Sequence, residues 1–247
     1  MKPRTTLASL LAALLLAPAA LLAAGGGAPL DRAPVDLQNA ISLQRGAQVF
    51  VNYCLNCHSA QFMRYNRLTD LGLTEDQIRD NLMFAADKVG QQMTVAINKR
   101  DAAAWFGAPP PDLTVIARSR GADWLYTYLR TFYRDDTKVT GWNNLTFPNV
   151  GMPHVLWELQ GTQELKEEKA AGHGDGHTTQ KLVLVEKGKL SKAEYDALIG
   201  DLVNYLVYMG EPAAVKRSQI GIVVILFLGF LFVLSYLLKK EYWKDVH

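Results

Sequence analysis

Cysteine is scarce in this 247-residue sequence: there are two, Cys54 and Cys57. At most one disulfide can form, and no second cysteine pair exists to complete a structural zinc site. An excess of one charge is also missing, since 26 Lys and Arg face 24 Asp and Glu for a net charge of +2. No strong pull on nucleic acid follows from that balance, and no nucleic-acid partner is expected. Nor does any catalytic acid, base or nucleophile stand out along the chain. What is present is 49% hydrophobic and 10% aromatic residues, the mix of a folded chain. Much of that hydrophobicity is concentrated at the two ends.

The first end reads MKPRTTLASLLAALLLAPAALLAAGGGAP. Lys2 and Arg4 precede an uncharged Leu/Ala run from Leu7 to Leu22, broken by Pro18, and small residues follow from Ala23 to Gly27. That is the layout of a secretory signal peptide; Pro18 and the small-residue exit argue against a membrane anchor. Residues 1–24 are assigned to this leader, with cleavage between Ala24 and Gly27. At the other end, Ile220 to Leu238 carries no charge. At about 1.5 Å per residue, a helix of this length is about 30 Å long and matches a bilayer core. Residues 218–238 are therefore read as one transmembrane helix. Lys216 and Arg217 flank one end and Lys239 and Lys240 the other, so the leader, not the charge bias, sets the orientation. The expected protein is an exported domain, residues 25–217, on a C-terminal tether with residues 239–247 inside. About 190 residues between cleavage region and tether suffice for a single core.

The two cysteines lie in VNYCLNCHSA, three apart and followed at once by His58. A C-x-x-C redox motif belongs to a thioredoxin-like strand pattern, which the surroundings lack. C-x-x-C-H instead reads as covalent c-type haem attachment. Two thiols add to the two vinyl groups on one porphyrin edge, and the adjacent imidazole reaches the iron from one face. One haem c is expected, held by Cys54 and Cys57 and ligated by His58.

The iron has a second axial position. Met63, five residues from His58, is too near to reach the opposite face; Met83 falls in a surface helix; Met209 ends the last helix of the exported domain. Met152 sits in FPNVGMPHVLW, between Pro148 and Pro153 and beside Gly151. These residues forbid a regular helix and present one side chain from an extended loop. His/Met ligation is an electron-transfer arrangement. Met152 leads, Met93 and His154 are its rivals, and His154 is expected at a surface.

Four further segments carry pattern. DLQNAISLQRGAQVFVNYC reads as a helix entering the haem motif, with Leu37, Ile41, Val49 and Phe50 as its apolar residues. LTEDQIRDNLMFAADKVG has a Thr74/Gln77 capping box and a stripe of Ile78, Leu82 and Ala85. GADWLYTYLRTFYRD repeats Trp124, Leu125, Tyr128, Leu129 and Phe132 at helical spacing. SKAEYDALIGDLVNYLVYMG is capped by Ser191 and Glu194 and closed by Gly210 and Pro212. ELQGTQELKEEKAAGHGDGHTTQK is polar and reads as a surface loop; its His173, Asp175 and His177 are spaced too loosely to specify a metal site. LVLV, residues 182–185, is one short strand. The fold class is mainly α: a helical haem domain of cytochrome c type with insertions, plus one C-terminal transmembrane helix.

RGAQVFVNYCLNCHS, APPPDLTVIARSRGADWLYTYL, FPNVGMPHVLWELQG and DLVNYLVYMGEPA, in that order before a C-terminal span, together resemble the cytochrome c1 family. The family is the haem subunit of the quinol:cytochrome c oxidoreductase, the cytochrome bc1 complex of respiratory electron transport. The resemblance covers most of the mature chain. It implies axial ligands at His58 and Met152. It implies an arginine paired with a haem propionate, Arg120 by the better match and Arg118 by the second, and a guanidinium suits a carboxylate. Pro110, Pro111 and Trp124 match positions near the haem, and Gly46 and Phe50 match the helix-packing pair of small cytochromes c, with Tyr205 as partner. The implied role is a one-electron relay from the mobile Rieske iron–sulfur subunit to a cytochrome c, beside cytochrome b in a dimeric complex. The bacterial look of the leader places the anchor in the cytoplasmic membrane and the haem domain in the periplasm. A free-standing tethered carrier, and a haem enzyme or sensor with an open sixth site, are the competing readings.

Overall fold

The computed structural model describes residues 29–169 and 178–245. The leader at 1–24 and the trio His173, Asp175 and His177 lie outside the described residues. In chain order the elements begin with α1 (Ala40–Val49), extended by a π-helical turn (Phe50–Cys54), then β1 (Ala60–Arg64) and a 3-10 segment (Tyr65–Leu71). Next come α2 (Glu75–Leu82), β2 (Gln92–Met93), α3 (Lys99–Phe106), α4 (Ile116–Arg120) and α5 (Ala122–Arg130). They are followed by β3 (Phe132–Arg134), β4 (Trp142–Asn144), α6 (Trp157–Gln160), β5 (Gly161–Lys169) and β6 (Thr178–Lys187). The chain ends with α7 (Lys192–Gly210) and α8 (Ala214–Tyr242). The strands pair as three separate antiparallel ribbons, β1–β2, β3–β4 and β5–β6, and the core is helical.

The core is organised by α1 crossing α7. Asn39 caps α1 by accepting from the Ser42 amide, and Ser191 and Glu194 form the capping box that starts α7. At the crossing stands Gly46, where a Cβ would lie 2.0 Å from the Asp201 carbonyl oxygen and 2.7 Å from Tyr205 Cβ. Only a hydrogen fits there. One turn on, the Phe50 and Tyr205 rings meet with centroids 5.6 Å apart. This close approach fixes the direction in which α1 delivers its last turn, and with it Cys54, into the interior. Helix α5 also packs on α7, where the Tyr195 hydroxyl donates to the Leu129 carbonyl at 2.9 Å. Arg130, at the end of α5, reaches Asp196 at 2.6 Å and Asp31 at 2.7 Å, tying the N-terminal segment to both helices.

Several elements differ from the sequence reading. Ile41, expected on the apolar stripe, is 63% exposed, because the buried face of α1 runs through Ser42, Leu43, Gly46, Ala47 and Val49. Helix α2 has the expected Thr74/Gln77 capping box but stops at Leu82, and Ala85 lies beyond it, exposed. Phe132 is not helical: the chain leaves α5 at Thr131 and Phe132 opens β3. The polar stretch read as a loop ends α6 at Glu158–Gln160 and is otherwise, in its described parts, a ribbon, with Gly161–Lys169 paired to Thr178–Lys187, and LVLV belongs to a ten-residue strand. Charged residues on both arms hide the two-residue period that a half-buried strand would show. Within helix α8, Gln219–Tyr242 is long and apolar enough to cross a membrane; its most apolar stretch has a mean hydropathy of 2.8, with none of it buried against the other described residues.

Candidate functional site

Between the end of α1, helix α5 and the segment after β4 lies an apolar cavity of about 300 Å³. One wall is the turn that follows the π-helical segment. There the Cys57 and His58 amides both donate to the Cys54 carbonyl, at 3.1 and 2.8 Å, and this brings Tyr53, Cys54, Cys57 and His58 onto the cavity. The Cys54 and Cys57 thiols are free, and burial pushes the Cys54 thiol up to about 12, so it is held protonated.

His58 is buried, and its Nδ1 lies 2.8 Å from the Pro111 carbonyl oxygen. A carbonyl only accepts, so Nδ1 carries the proton and Nε2 keeps its lone pair. Burial lowers the pKa of this imidazole against the opposing hydrogen bond to Pro111, which favours the neutral ring that a metal ligand needs. Pro111 is itself held by its surroundings: the Leu113 amide donates to Ser59 O at 2.8 Å, and Asp112 accepts from the Gln61 amide at 2.8 Å.

Met152 lines the cavity from the loop after β4. The loop has tight places. Asn149 adopts a left-handed φ of 62°, and a Cβ on Gly151 would lie 2.4 Å from the Phe106 carbonyl oxygen. The Tyr128 hydroxyl donates to Met152 Sδ at 3.3 Å, and its ring stacks on Trp124 with centroids 4.8 Å apart. Tyr128 belongs to the aromatic stripe read as mostly core with some members lining the haem; its position four residues after Trp124 on one helix face was the available signal for its place at the site. Leu125, Leu129, Val155, Leu202 and Leu206 supply apolar walls that the sequence did not assign to the site.

Arg120 also borders the cavity. Its guanidinium lies 5.1 Å from the Trp124 ring and 5.7 Å from the Phe147 ring, with no ion-pair partner among the described residues. Arg118, two residues earlier, is absent from the lining and lies 3.9 Å from Glu211, with its side chain 63% exposed. The structure therefore brings together Cys54, Cys57, His58, Pro111, Arg120, Trp124 and Met152, and leaves Arg118 outside.

Neither rival to Met152 faces the cavity. Met93 is fully buried, its sulfur 3.8 Å from the Tyr205 hydroxyl. His154, expected at a surface, is 3% exposed: its ring stacks on Phe132 at 4.8 Å and meets the edge of Trp142 at 5.2 Å. The aromatic packing against Phe132 and Trp142 takes the imidazole away from solvent.

The donor set fits haem c. Two thiols sit beside an oriented imidazole, a thioether opens on the same apolar space, and an unpaired guanidinium stands at its border. A flat, largely apolar macrocycle with two thiol-reactive groups, a central metal and carboxylates matches each of these features.

The sequence model of the Cytochrome C1 family matches residues 32–246. The chain is 55% identical to cytochrome c1 of Allochromatium vinosum over 90% of this chain and 92% of that one. It is 53% identical to a protein of Nitrosomonas europaea named ammonia monooxygenase gamma subunit, over 96% of this chain and 97% of that one. Cytochrome c1 of Rhodospirillum rubrum is 30% identical over 83% of this chain and 81% of its own length.

Proposed function

The chain belongs to the cytochrome c1 family, and on that premise we propose that it is the membrane-anchored electron relay of a cytochrome bc1 complex, taking single electrons from a Rieske iron–sulfur subunit and passing them to a cytochrome c. Haem c, when bound, supplies the one-electron iron couple. Cys54 and Cys57 would hold it through thioethers, and His58 and Met152 would supply the nitrogen and sulfur ligands to its iron. Pro111, through its carbonyl, keeps His58 in the tautomer that leaves Nε2 unprotonated. Tyr128 donates to the Met152 sulfur and holds it toward the cavity. Arg120 takes the propionate-pairing role over Arg118, since only Arg120 borders the cavity. Trp124 and Phe147 both lie against the Arg120 guanidinium, 5.1 and 5.7 Å from it, while the leucine walls exclude water. The relay needs no acid or base: the chain fixes ligands, orientation and dielectric. The anchor is α8 in a bacterial cytoplasmic membrane, with the haem domain in the periplasm after loss of the leader, beside cytochrome b in a dimeric assembly.

The observation that carries this reading is the convergence of Cys54, Cys57, His58 and Met152 on one apolar cavity, from segments far apart in sequence. The test is an absorption spectrum of the purified full chain, oxidised and reduced, for wild type and Met152→Leu. A c-type spectrum whose methionine–iron charge-transfer band disappears in the variant supports it. A wild type with no such band that binds carbon monoxide overturns the relay in favour of an open sixth site. Gentle purification identifies the assembly: recovery with cytochrome b and an iron–sulfur protein supports the bc1 placement, and recovery with a monooxygenase instead refutes it.

A further inference from the structure

Strand β4 ends in two asparagines, and both are buried: Asn143 is 6% exposed and Asn144 is 0%. A buried amide is costly unless every polar atom is paired. Here both side-chain oxygens accept from amides of the segment that follows. Asn144 Oδ1 accepts from the Thr146 amide at 2.9 Å and the Phe147 amide at 3.0 Å, while its Nδ2 donates to the Tyr128 carbonyl at 2.8 Å. Asn143 Oδ1 accepts from the Asn149 amide at 2.8 Å, and its Nδ2 donates to Asp135 at 2.9 Å. The segment from Leu145 to Pro153 has no helix or ladder of its own, so these side chains do for its backbone what secondary structure does elsewhere. Because Asn144 also grips the Tyr128 carbonyl, the loop carrying Met152 and the helix carrying the Tyr128 hydroxyl are locked to each other.

Resting on the ligand reading above, we propose that Asn144, with Asn143 behind it, is a positioning residue for Met152: the pair is a polar brace that holds the sulfur at its bonding position and suppresses its release. No cysteine lies in or near this loop in sequence, the chain's two being Cys54 and Cys57. It does not touch the cofactor and acts only through the loop backbone and helix α5.

The experiment measures imidazole binding to the oxidised, detergent-purified full chain by stopped-flow absorption, alongside the methionine–iron band and the melting temperature. Binding waits on departure of the sulfur, so its rate reports how firmly Met152 is held. Asn144→Ala should accelerate it about tenfold or more, the factor expected when a buried hydrogen-bonding group loses its partner; Asn143→Ala should do so to a smaller extent. The control is Asn204→Ala. Asn204 is equally buried and well bonded, to Asp36 and Ser42, but lies away from the loop. Acceleration in the β4 variants without acceleration in Asn204→Ala supports the brace. Unchanged rates, or acceleration in all three that tracks lost melting temperature, overturns it. Should Asn144→Ala give no holoprotein, Asn143→Ala carries the same comparison. Met152→Leu separates the two levels: if it leaves the wild-type band unchanged, the ligand reading itself is wrong, whatever the asparagines do.

Discussion

Replacing Gly46 by alanine opposes two effects of known size. In a helix interior, alanine is favoured over glycine by about 1 kcal/mol. Against that stands the crossing of α1 and α7, where the new Cβ would lie 2.0 Å from the Asp201 carbonyl oxygen and 2.7 Å from Tyr205 Cβ. A comfortable carbon contact is about 3.5 Å, so the helices must part by about 1.5 Å. The obstacle is backbone on a helix, which cannot swing aside as a long side chain would. The upper range of overpacking costs, about 3 kcal/mol, therefore applies. The net loss is about 2 kcal/mol, which for a domain of this size lowers the melting temperature by about 4–8 °C. Parting the helices also loosens the Phe50–Tyr205 contact and moves the turn that carries Cys54, so the yield of haem-loaded protein should fall as well. Circular dichroism melts of the full chain provide the assay. Gly221→Ala, in α8 with nothing within 4 Å of its Cβ position, is the control and should not be destabilising. A Gly46→Ala protein that melts at or above the wild-type temperature would refute the claim that close helix approach, not helix propensity, governs this position.

Tyr128→Phe removes the hydroxyl that donates to Met152 Sδ at 3.3 Å. Donation draws electron density from the sulfur and so favours the reduced iron; its loss should lower the midpoint potential by about 20–60 mV, the equivalent of 0.5–1.5 kcal/mol for one electron. An unchanged or higher potential in a redox titration would contradict this. His154 gives a pH dependence. Burial pushes its imidazole down to about 4, whereas the unfolded chain takes up the proton near 6.5. Between those values the unfolded state binds more protons, so stability is full above about pH 6.5 and falls by up to about 3 kcal/mol as the pH drops to about 4. His154→Phe should flatten that part of the stability–pH profile, and parallel profiles for the two proteins would count against it.

What could be read from the sequence, and what could not, divides along the range of the interactions. The proposed haem-attachment turn is local: the C-x-x-C-H motif sets two thiols and an imidazole within five residues of one another. Helix starts are local too, and both predicted capping boxes are present at Thr74 and Ser191. The choice between Arg118 and Arg120 was not local. Two residues apart on a helix they point about 200° from each other, so one faces the cavity and the other Glu211, but the sequence does not say which until the packing of α4 is known. His154 presented the same difficulty: its burial is decided by Phe132 and Trp142, neighbours supplied by β3 and β4. Asn143 and Asn144 are the sharpest case. Adjacent amides followed by Leu, Thr, Phe, Pro and Asn read as a turn, and strand residues normally bury one face and show the other. In β4 both faces are buried, since the irregular chain leading to Met152 has backbone amides that only side-chain carbonyls can satisfy. An irregular loop with neither helix nor ladder draws polar residues inward to satisfy its backbone, and composition alone reads them as surface.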